Sequence, residues 1–385
     1  MLSKKNYLYK GYLLVDIIGD RMNMKVVFRV DASFQIGTGH VMRCLTLAEE
    51  LKDRGHEVIF ISRELKGHLC DLINQRGYQV FCLPSENKTI NNCDIKHAQW
   101  LETSWEIDAQ QTIEIIDKYI KCFDWLIIDH YALDHKWESQ LKNYSKRIMV
   151  IDDLADRKHL CHILLDQNYY LNFEYRYKYL VPSNCKLLLG PKYALLRDEF
   201  IDLRKNLNNK KNDEIKNILV FFGGSDPTNE TLKALYALNK LDYNKINVDV
   251  VVGVSNPHKD KIKDYCSRYP HINFHCGIDY MARLMKQADL SICAGGTTTW
   301  ERYFMGLPAI LISVAYNQIE ICQALSRLGI DYYLGKSEEV DGKDIINAFH
   351  KFQSGDISLQ NSSMKALKIV DGLGKYRVVN ELLKY

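Results

Sequence analysis

From position 24 onward the chain alternates short β-branched runs with longer stretches in which apolar residues recur every three or four positions. The run at 26–30 predicts a strand. Over 41–54 the spacing of Val41, Cys44, Leu45, Leu47, Ala48 and Leu51 predicts a helix, which Gly55 stops. Further strands are expected at 58–61, 125–128, 148–151 and 163–165, with a helical stretch at 113–120 among them. Strand–helix alternation of this kind calls for a parallel sheet covered on both faces. Between 196 and 216 charge and asparagine replace the apolar periodicity; the pattern then restarts, with strands at 218–222, 248–252, 290–293 and 308–312 and a helix at 298–305. The expected fold class is α/β, two doubly wound Rossmann-like domains facing a central cleft. The first domain is expected over 24–200, a linker over 201–216 and the second domain over 217–385, its last helix packing back on the first. Residues 1–23 precede the first strand run and are expected to be a disordered extension or the product of an overlong start, with Met1, Met22 and Met24 as the alternative starts.

Composition narrows the class. A hydrophobic share of 46% with 26% charged residues is that of an ordinary globular chain and excludes disordered and fibrous classes. Lys and Arg exceed Asp and Glu by 51 − 48 = 3, spread over the whole length, which gives nucleic acid no electrostatic footprint. The one basic stretch, 204–216, is broken by Asp213 and Glu214 and interleaved with four Asn, and reads as a solvated linker. Eleven cysteines at spacings from 10 to 81 residues, with no C-x-x-C, write neither a disulfide framework nor a zinc ribbon. A reducing cytoplasm fits that usage. The best N-terminal apolar run, 12–18, is seven residues long and interrupted by Asp16, well short of the roughly 18 that a membrane span needs.

Three glycine-rich turns stand at strand-to-helix junctions: Ile36-Gly37-Thr38-Gly39-His40, Gly223-Gly224-Ser225-Asp226 and Gly295-Gly296-Thr297-Thr298-Thr299. At such junctions glycine lets backbone approach a ligand, and the helix N-terminus offers unpaired N–H groups to phosphate. Each turn alone is equally compatible with a purely structural role. None is G-x-G-x-x-G and no G-x-x-x-x-G-K-[ST] occurs, so dinucleotide and P-loop readings fail. His40 closes the first turn at a helix start, where the dipole disfavours imidazolium; it is the candidate base, against the alternative of a capping or core-packing histidine. At other strand ends of the same half stand Asp129-His130-Tyr131, Asp152-Asp153 and Asp166-Gln167-Asn168, which should line the ligand crevice of an open α/β sheet. Asp129, Asp152 and Asp153 are candidate ligands for sugar hydroxyls or amides, or else caps and turn formers. His159-Leu160-Cys161-His162 matches no standard zinc spacing and reads as structural. In the second half Glu301 lies one turn into a helix, placed to accept from two vicinal ribose hydroxyls while Thr297 and Thr298 face phosphates; the alternative is a capping carboxylate. Asn317 and Gln318 follow a strand and could hold the remaining phosphate or sugar. No Asp-x-Asp occurs, which removes the usual metal clamp for a nucleotide sugar.

These segments are together recognisable. Phe28-Arg29-Val30-Asp31-Ala32-Ser33, the stretch from Ile36 through Gly37, Thr38, Gly39, His40 and Arg43 to Ala48, and the motifs at 151–157, 165–168, 222–226, 294–301 and 371–377 resemble the PseG family. Those are the UDP-2,4-diacetamido-2,4,6-trideoxy-β-L-altropyranose hydrolases of pseudaminic acid biosynthesis. The Gly-Gly-Thr-x-x-x-Glu element is shared with MurG-type glycosyltransferases. The resemblance implies a GT-B-like fold with UDP held mainly by the second domain and the sugar projected toward the first. It implies metal-independent hydrolysis with His40 as the base acting on water, Glu301 on the nucleotide and Asn317 after the following strand. Expected substrate contacts are then Gly39, Arg43, Asn168, Gly223, Gly224, Ser225, Gly295, Gly296, Thr297, Thr298, Glu301, Asn317 and Gln318, with Asp31, Asp129, His130, Tyr131, Asp152 and Asp153 as candidate sugar contacts. The expectation is a cytoplasmic, monomeric UDP-sugar hydrolase without cofactor, metal, nucleic-acid partner or membrane span, feeding flagellin glycosylation or a surface polysaccharide. The alternatives are a glycosyltransferase of the same fold and a non-catalytic nucleotide-sugar binding protein.

Overall fold

Runs of valine, isoleucine and leucine between glycine and polar turns become the strands of two parallel sheets. The structure, a computed structural model, describes residues 23–86, 95–205, 214–241 and 246–385, preceded by the backbone of a two-stranded antiparallel ribbon, β1 (Leu8–Tyr9) and β2 (Tyr12–Leu13). Residues 1–7, 10–11 and 14–22 of the extension expected over 1–23 lie outside the described residues.

The first sheet contains β3 (Lys25–Val30), β4 (Glu57–Arg63), β5 (Gln79–Leu83), β6 (Phe123–Asp129), β7 (Ser145–Ile151), β8 (Ile163–Asp166) and β9 (Lys186–Leu189), in the order β5-β4-β3-β6-β7-β8-β9. The second contains β10 (Asn217–Phe221), β11 (Asn247–Val252), β12 (Ile272–Cys276), β13 (Leu290–Ala294), β14 (Ala309–Ser313) and β15 (Tyr332–Lys336), in the order β12-β11-β10-β13-β14-β15. Helices α1 (Gly39–Asp53), α2 (Cys70–Gln75), α3 (Trp105–Ile115) and α4 (His135–Leu141) belong to the first sheet. Next come α5 (Asp198–Arg204), and then α6 (Glu230–Leu238), α7 (Lys259–Cys266), α8 (Met281–Gln287), α9 (Thr298–Phe304), α10 (Ile319–Ser326), α11 (Gly342–Gln353), α12 (Leu359–Ala366) and α13 (Gly374–Leu382).

Strand periodicity explains the near-continuous apolar runs. Val26, Phe28 and Val30 enter one core beneath α1, while Val27 enters a second core on the opposite face with Ile116 and Trp137. In the second sheet Ile218 and Val220 point one way and Leu219 the other. Val378, Val379 and Leu382 of α13 join the Val26–Phe28 core, so the end of the chain packs against the first sheet.

Both strand orders reverse at their first strand, between β3 and β6 and between β10 and β13. In open α/β sheets that reversal opens a crevice at the carboxyl ends of the strands. Val30 pairs with Asp129 across the first reversal and Phe221 with Cys293 across the second, so the turns after β3, β10 and β13 leave the sheets at these points.

Two expectations are corrected here. The linker expected over 201–216 is not all solvated: residues 201–204 are the end of α5, anchored just before them by Phe200, which is fully buried in the core that also holds Trp300 and Phe304. Residues 206–213 of that connection lie outside the described residues. The helical stretch at 113–120 is the end of α3 followed by a wider π-type turn over Ile116–Ile120.

Candidate functional site

Helix α1 starts at Gly39, and no side chain caps it. His40 and Arg43 are three residues apart on it and therefore share a face. That face meets Asp129, the last residue of β6. Asp129 Oδ1 lies 2.6 Å from His40 Nδ1 and accepts Arg43 Nη2 at 2.6 Å, while Oδ2 accepts Arg43 Nε at 2.6 Å. Burial alone would raise the Asp129 carboxyl, but Arg43 and His40 reverse that and hold it well below the usual carboxylate range. An ionised carboxylate can only accept, so the proton on Nδ1 is fixed there and the Nε2 lone pair is left for another partner. His40 is 7% exposed, at the edge of the crevice.

Arg43 Nη1 also donates to Asp153 Oδ2 at 3.0 Å. Asp153 accepts in addition from Tyr131 Oη and, at 3.1 Å, from Asn168 Nδ2. Asn168 Oδ1 in turn accepts Trp300 Nε1 at 3.0 Å. A continuous polar chain thus runs from α9 of the second sheet through Asn168, Asp153, Arg43 and Asp129 to His40. The Tyr131 ring stands edge-on to His40 with centroids 4.5 Å apart, and it also contacts His97 and Trp100. Burial and the neighbouring Asp153 raise the Tyr131 hydroxyl well above its usual value, so it is a donor here.

Several candidate sugar contacts are turned inward, which corrects their expected role. Asp31 is fully buried; its oxygens accept from Arg29 at 2.5 and 2.9 Å and from the Arg63 amide at 2.6 Å. His130 is buried against Asp31, and its Nδ1 accepts the Ala132 amide at 3.1 Å. Asp152 is buried, pairs with Arg157 at 2.8 Å and accepts from the Ala155 amide and Tyr177. Asp129 has its oxygens committed to His40 and Arg43, so it orients these groups and is not free for a hydroxyl.

The second-sheet turns come against the first. A methyl group at Gly39 would lie 3.3 Å from Thr297 Oγ1, and one at Gly224 only 2.9 Å from Thr38 Oγ1. Gly223 has φ +90°, which glycine tolerates without strain. Contrary to the expectation from sequence, the N-terminus of α6 is not open to phosphate: Asp226 occupies it, accepting the Glu230 and Thr231 amides at 2.9 and 3.0 Å. No side chain caps α9, and Gly296, Thr297 and Thr298 are half-buried at its start, below the buried Gly295. Glu301 Oε1 accepts Arg197 Nε at 2.8 Å, while Oε2 is buried without a hydrogen-bond partner. Gly223, Gly224, Ser225 and Asn317 are half-buried, and Gln318 Oε1 accepts the Val314 amide at 3.1 Å as a turn former. Arg197 carried no sequence signal of its own, and Trp300, though inside the 294–301 motif, was given no role. Arg197 sits in the charged connection and its partner is 104 residues away, while Trp300 reads as core.

Residues 218–374 match the glycosyltransferase family 28 C-terminal domain. The chain is 29% identical over 309 residues to the UDP-2,4-diacetamido-2,4,6-trideoxy-beta-L-altropyranose hydrolase of Campylobacter jejuni, covering 80% of this chain and 98% of that protein. Most of the chain is thus similar to a hydrolase of that kind. A further relative, an uncharacterized protein of Methanocaldococcus jannaschii, is 31% identical over 296 residues; the match takes in 75% of this chain and spans 55% of that relative's length. Among solved structures, MurG of Acinetobacter baumannii superposes with a TM-score of 0.61 at 15% identity, covering 94% of this chain and all of that one. The chain therefore has the GT-B fold. Its family 28 portion carries the Gly223 and Gly295 turns, Glu301 and Asn317, while His40 and Arg43 lie on α1 and Asp129 ends β6 of the first sheet.

Proposed function

We propose that the chain hydrolyses a UDP-linked 2,4-diacetamido-2,4,6-trideoxy sugar to UDP and the free sugar, in the synthesis of nonulosonic (pseudaminic) acid. The observation that carries this reading is His40, with Nδ1 tied to Asp129 and Nε2 left as a base, on the same turn whose Thr38 and Gly39 abut Gly224 and Thr297. In the proposed step His40 Nε2 takes a proton from water as the water oxygen bonds to the anomeric carbon. The bond from that carbon to the β-phosphate oxygen breaks, and its electron pair leaves with UDP. Attack from the side opposite the leaving group inverts the anomer. Asp129 and Arg43 keep the imidazole oriented. In this reading the N–H groups at the start of α9 and along the Gly223 turn take the diphosphate charge, and Glu301 Oε2 accepts from the ribose.

Among the described residues no three His, Cys, Asp or Glu side chains are placed to hold a metal ion, and the reading assigns no step to one. No described helix is long and apolar enough to cross a membrane. We place the activity in the cytoplasm, with the chain a monomer. The family 28 match favours one second reading, transfer of the sugar from UDP to a hydroxyl acceptor. Reaction in oxygen-18 water decides between them: label in the free sugar and none in UDP supports hydrolysis at carbon. Label in UDP would mean attack at phosphorus and defeat the proposal, and turnover only with an added acceptor would establish the transferase.

A further inference from the structure

The Tyr131 ring that stands edge-on to His40 is the start of a longer aromatic wall. A 3₁₀ turn over Ala98–Leu101 follows His97, and with three residues per turn the side chains of 97 and 100 lie one above the other, as do those of 98 and 101. Ala98 and Leu101 are buried, Leu101 in the core that holds Trp137, and they anchor the turn. His97 and Trp100 stay half-buried, with ring centroids 4.5 Å apart. The Tyr131 centroid lies 5.6 Å from that of His97 and 5.5 Å from that of Trp100, so each is one ring removed from His40.

Contacts on both sides place this pair at the cleft. Tyr131 joins it to His40, and the adjacent Lys96 sets its ammonium 3.5 Å from the centroid of the Tyr316 ring, next to Asn317 of the second domain. Among the described residues the Trp100 indole N–H and the His97 nitrogens make no hydrogen bond, and these atoms are not buried. Burial of the ring leads in lowering the His97 pKa below its ordinary value, against Asp156, so at neutral pH the imidazole is uncharged and offers one donor and one acceptor. An acetamido group suits such a wall. Its flat amide and methyl lie against aromatic faces and its carbonyl accepts from an N–H, whereas a bare hydroxyl has no apolar surface to lay there.

We propose that Trp100 and His97 hold an acetamido group of the bound sugar and make the cleft selective for N-acylated sugars. This rests on the reading of the cleft as a UDP-sugar site. The test uses the full chain and carbon-linked analogues of the UDP-sugar, in which CH2 replaces the glycosidic oxygen, so that neither hydrolysis nor transfer consumes them. One analogue carries both acetamido groups and the other carries hydroxyls in their place, with UDP alone as the third ligand. By calorimetry the diacetamido analogue should bind about tenfold tighter than the dihydroxy one. Trp100→Ala should abolish that preference while UDP affinity stays within about twofold of the wild type, and His97→Ala should reduce the preference by about threefold. Equal affinity for the two analogues in the wild type, a preference intact in both variants, or UDP affinity falling in step with the preference would each overturn the proposal. Oxygen-18 label in UDP would defeat the hydrolase reading and leave this preference standing, so the two failures are separable.

Discussion

Replacing His40 with asparagine removes one atom of function and little else. The asparagine Nδ2 falls near the place of the imidazole Nδ1, so Asp129 keeps a donor there and Arg43 keeps both of its 2.6 Å bonds to that carboxylate. The Nε2 that would accept the proton of water has no counterpart. A positioned general base contributes roughly 10²–10⁴-fold, which at about 1.4 kcal/mol per power of ten is about 3–5 kcal/mol of activation free energy. The folding cost is smaller. What is lost from the native state is the edge contact of the ring with Tyr131, at 4.5 Å and 80°, worth about 0.5–1.5 kcal/mol. At about 2.1 cal/mol/K of unfolding entropy per residue, that corresponds to a melting shift of only about 1–2 °C for a chain of 385 residues. UDP release from the UDP-diacetamido sugar, followed under steady state, should therefore fall by two to four powers of ten, while UDP affinity and the melting transition barely move. Turnover within tenfold of the wild type in a variant of unchanged UDP affinity would remove His40 as the base. It would then leave Asp153, the one rim carboxylate that keeps some exposure, as the group to test.

Glu301→Ala should weaken UDP by about ten- to a hundredfold and change the turnover of bound substrate little, because ribose hydroxyls contribute equally to ground and transition states; an unchanged dissociation constant by calorimetry would refute the contact. If backbone N–H groups meet the diphosphate charge, hydrolysis should persist after dialysis against EDTA, and activity lost in chelator and restored by magnesium or manganese would contradict that. Acid should unfold the first domain through its buried carboxylates. Burial raises Asp31, Asp129 and Asp152, but paired cations outweigh it: Arg29 and His130 hold Asp31 down, Arg43 and His40 hold Asp129 down, and Arg157 leads in bringing Asp152 to about 2. With folded values below unfolded ones near 3.9, their stabilisation is complete above that pH and is lost as pH falls toward the folded values. Urea midpoints should drop steeply between about pH 4 and pH 2, and Asp152→Asn, which removes a contribution of roughly 2 kcal/mol, should flatten that slope; a midpoint level across this range would contradict the argument.

The elements that the sequence determined by itself are those whose two faces are both buried. Residues 26–30, 125–128, 148–151, 218–222, 248–252 and 290–293 read as strands because a parallel sheet covered by helices on both faces calls for apolar side chains at most positions, Arg29, Asp249 and Ser291 being the polar exceptions. Within the two parallel sheets, the four strands that escaped the reading, β5, β9, β12 and β15, are the sheet edges; the β1–β2 ribbon escaped it too. An edge strand is only partly covered, so sequences such as QVFCL and INFHC carry no sustained run, and their strand state comes from pairing with a neighbour. Glycine turns were legible because backbone geometry is a local property, and His40 was legible because it stands beside one. Which carboxylate meets His40 was not legible. Asp129 lies 89 residues away, and Asp31, Asp129, Asp152 and Asp153 are indistinguishable as strand-end aspartates until the strand order is known. The reversal between β3 and β6 sets Asp129 beside α1, whereas Asp31 meets Arg29 and Asp152 meets Arg157. The same holds for Asp226, which looks from sequence like part of a phosphate turn but folds back onto the amides of α6. Local chemistry proposes the candidates; long-range packing decides which of their oxygens are already taken.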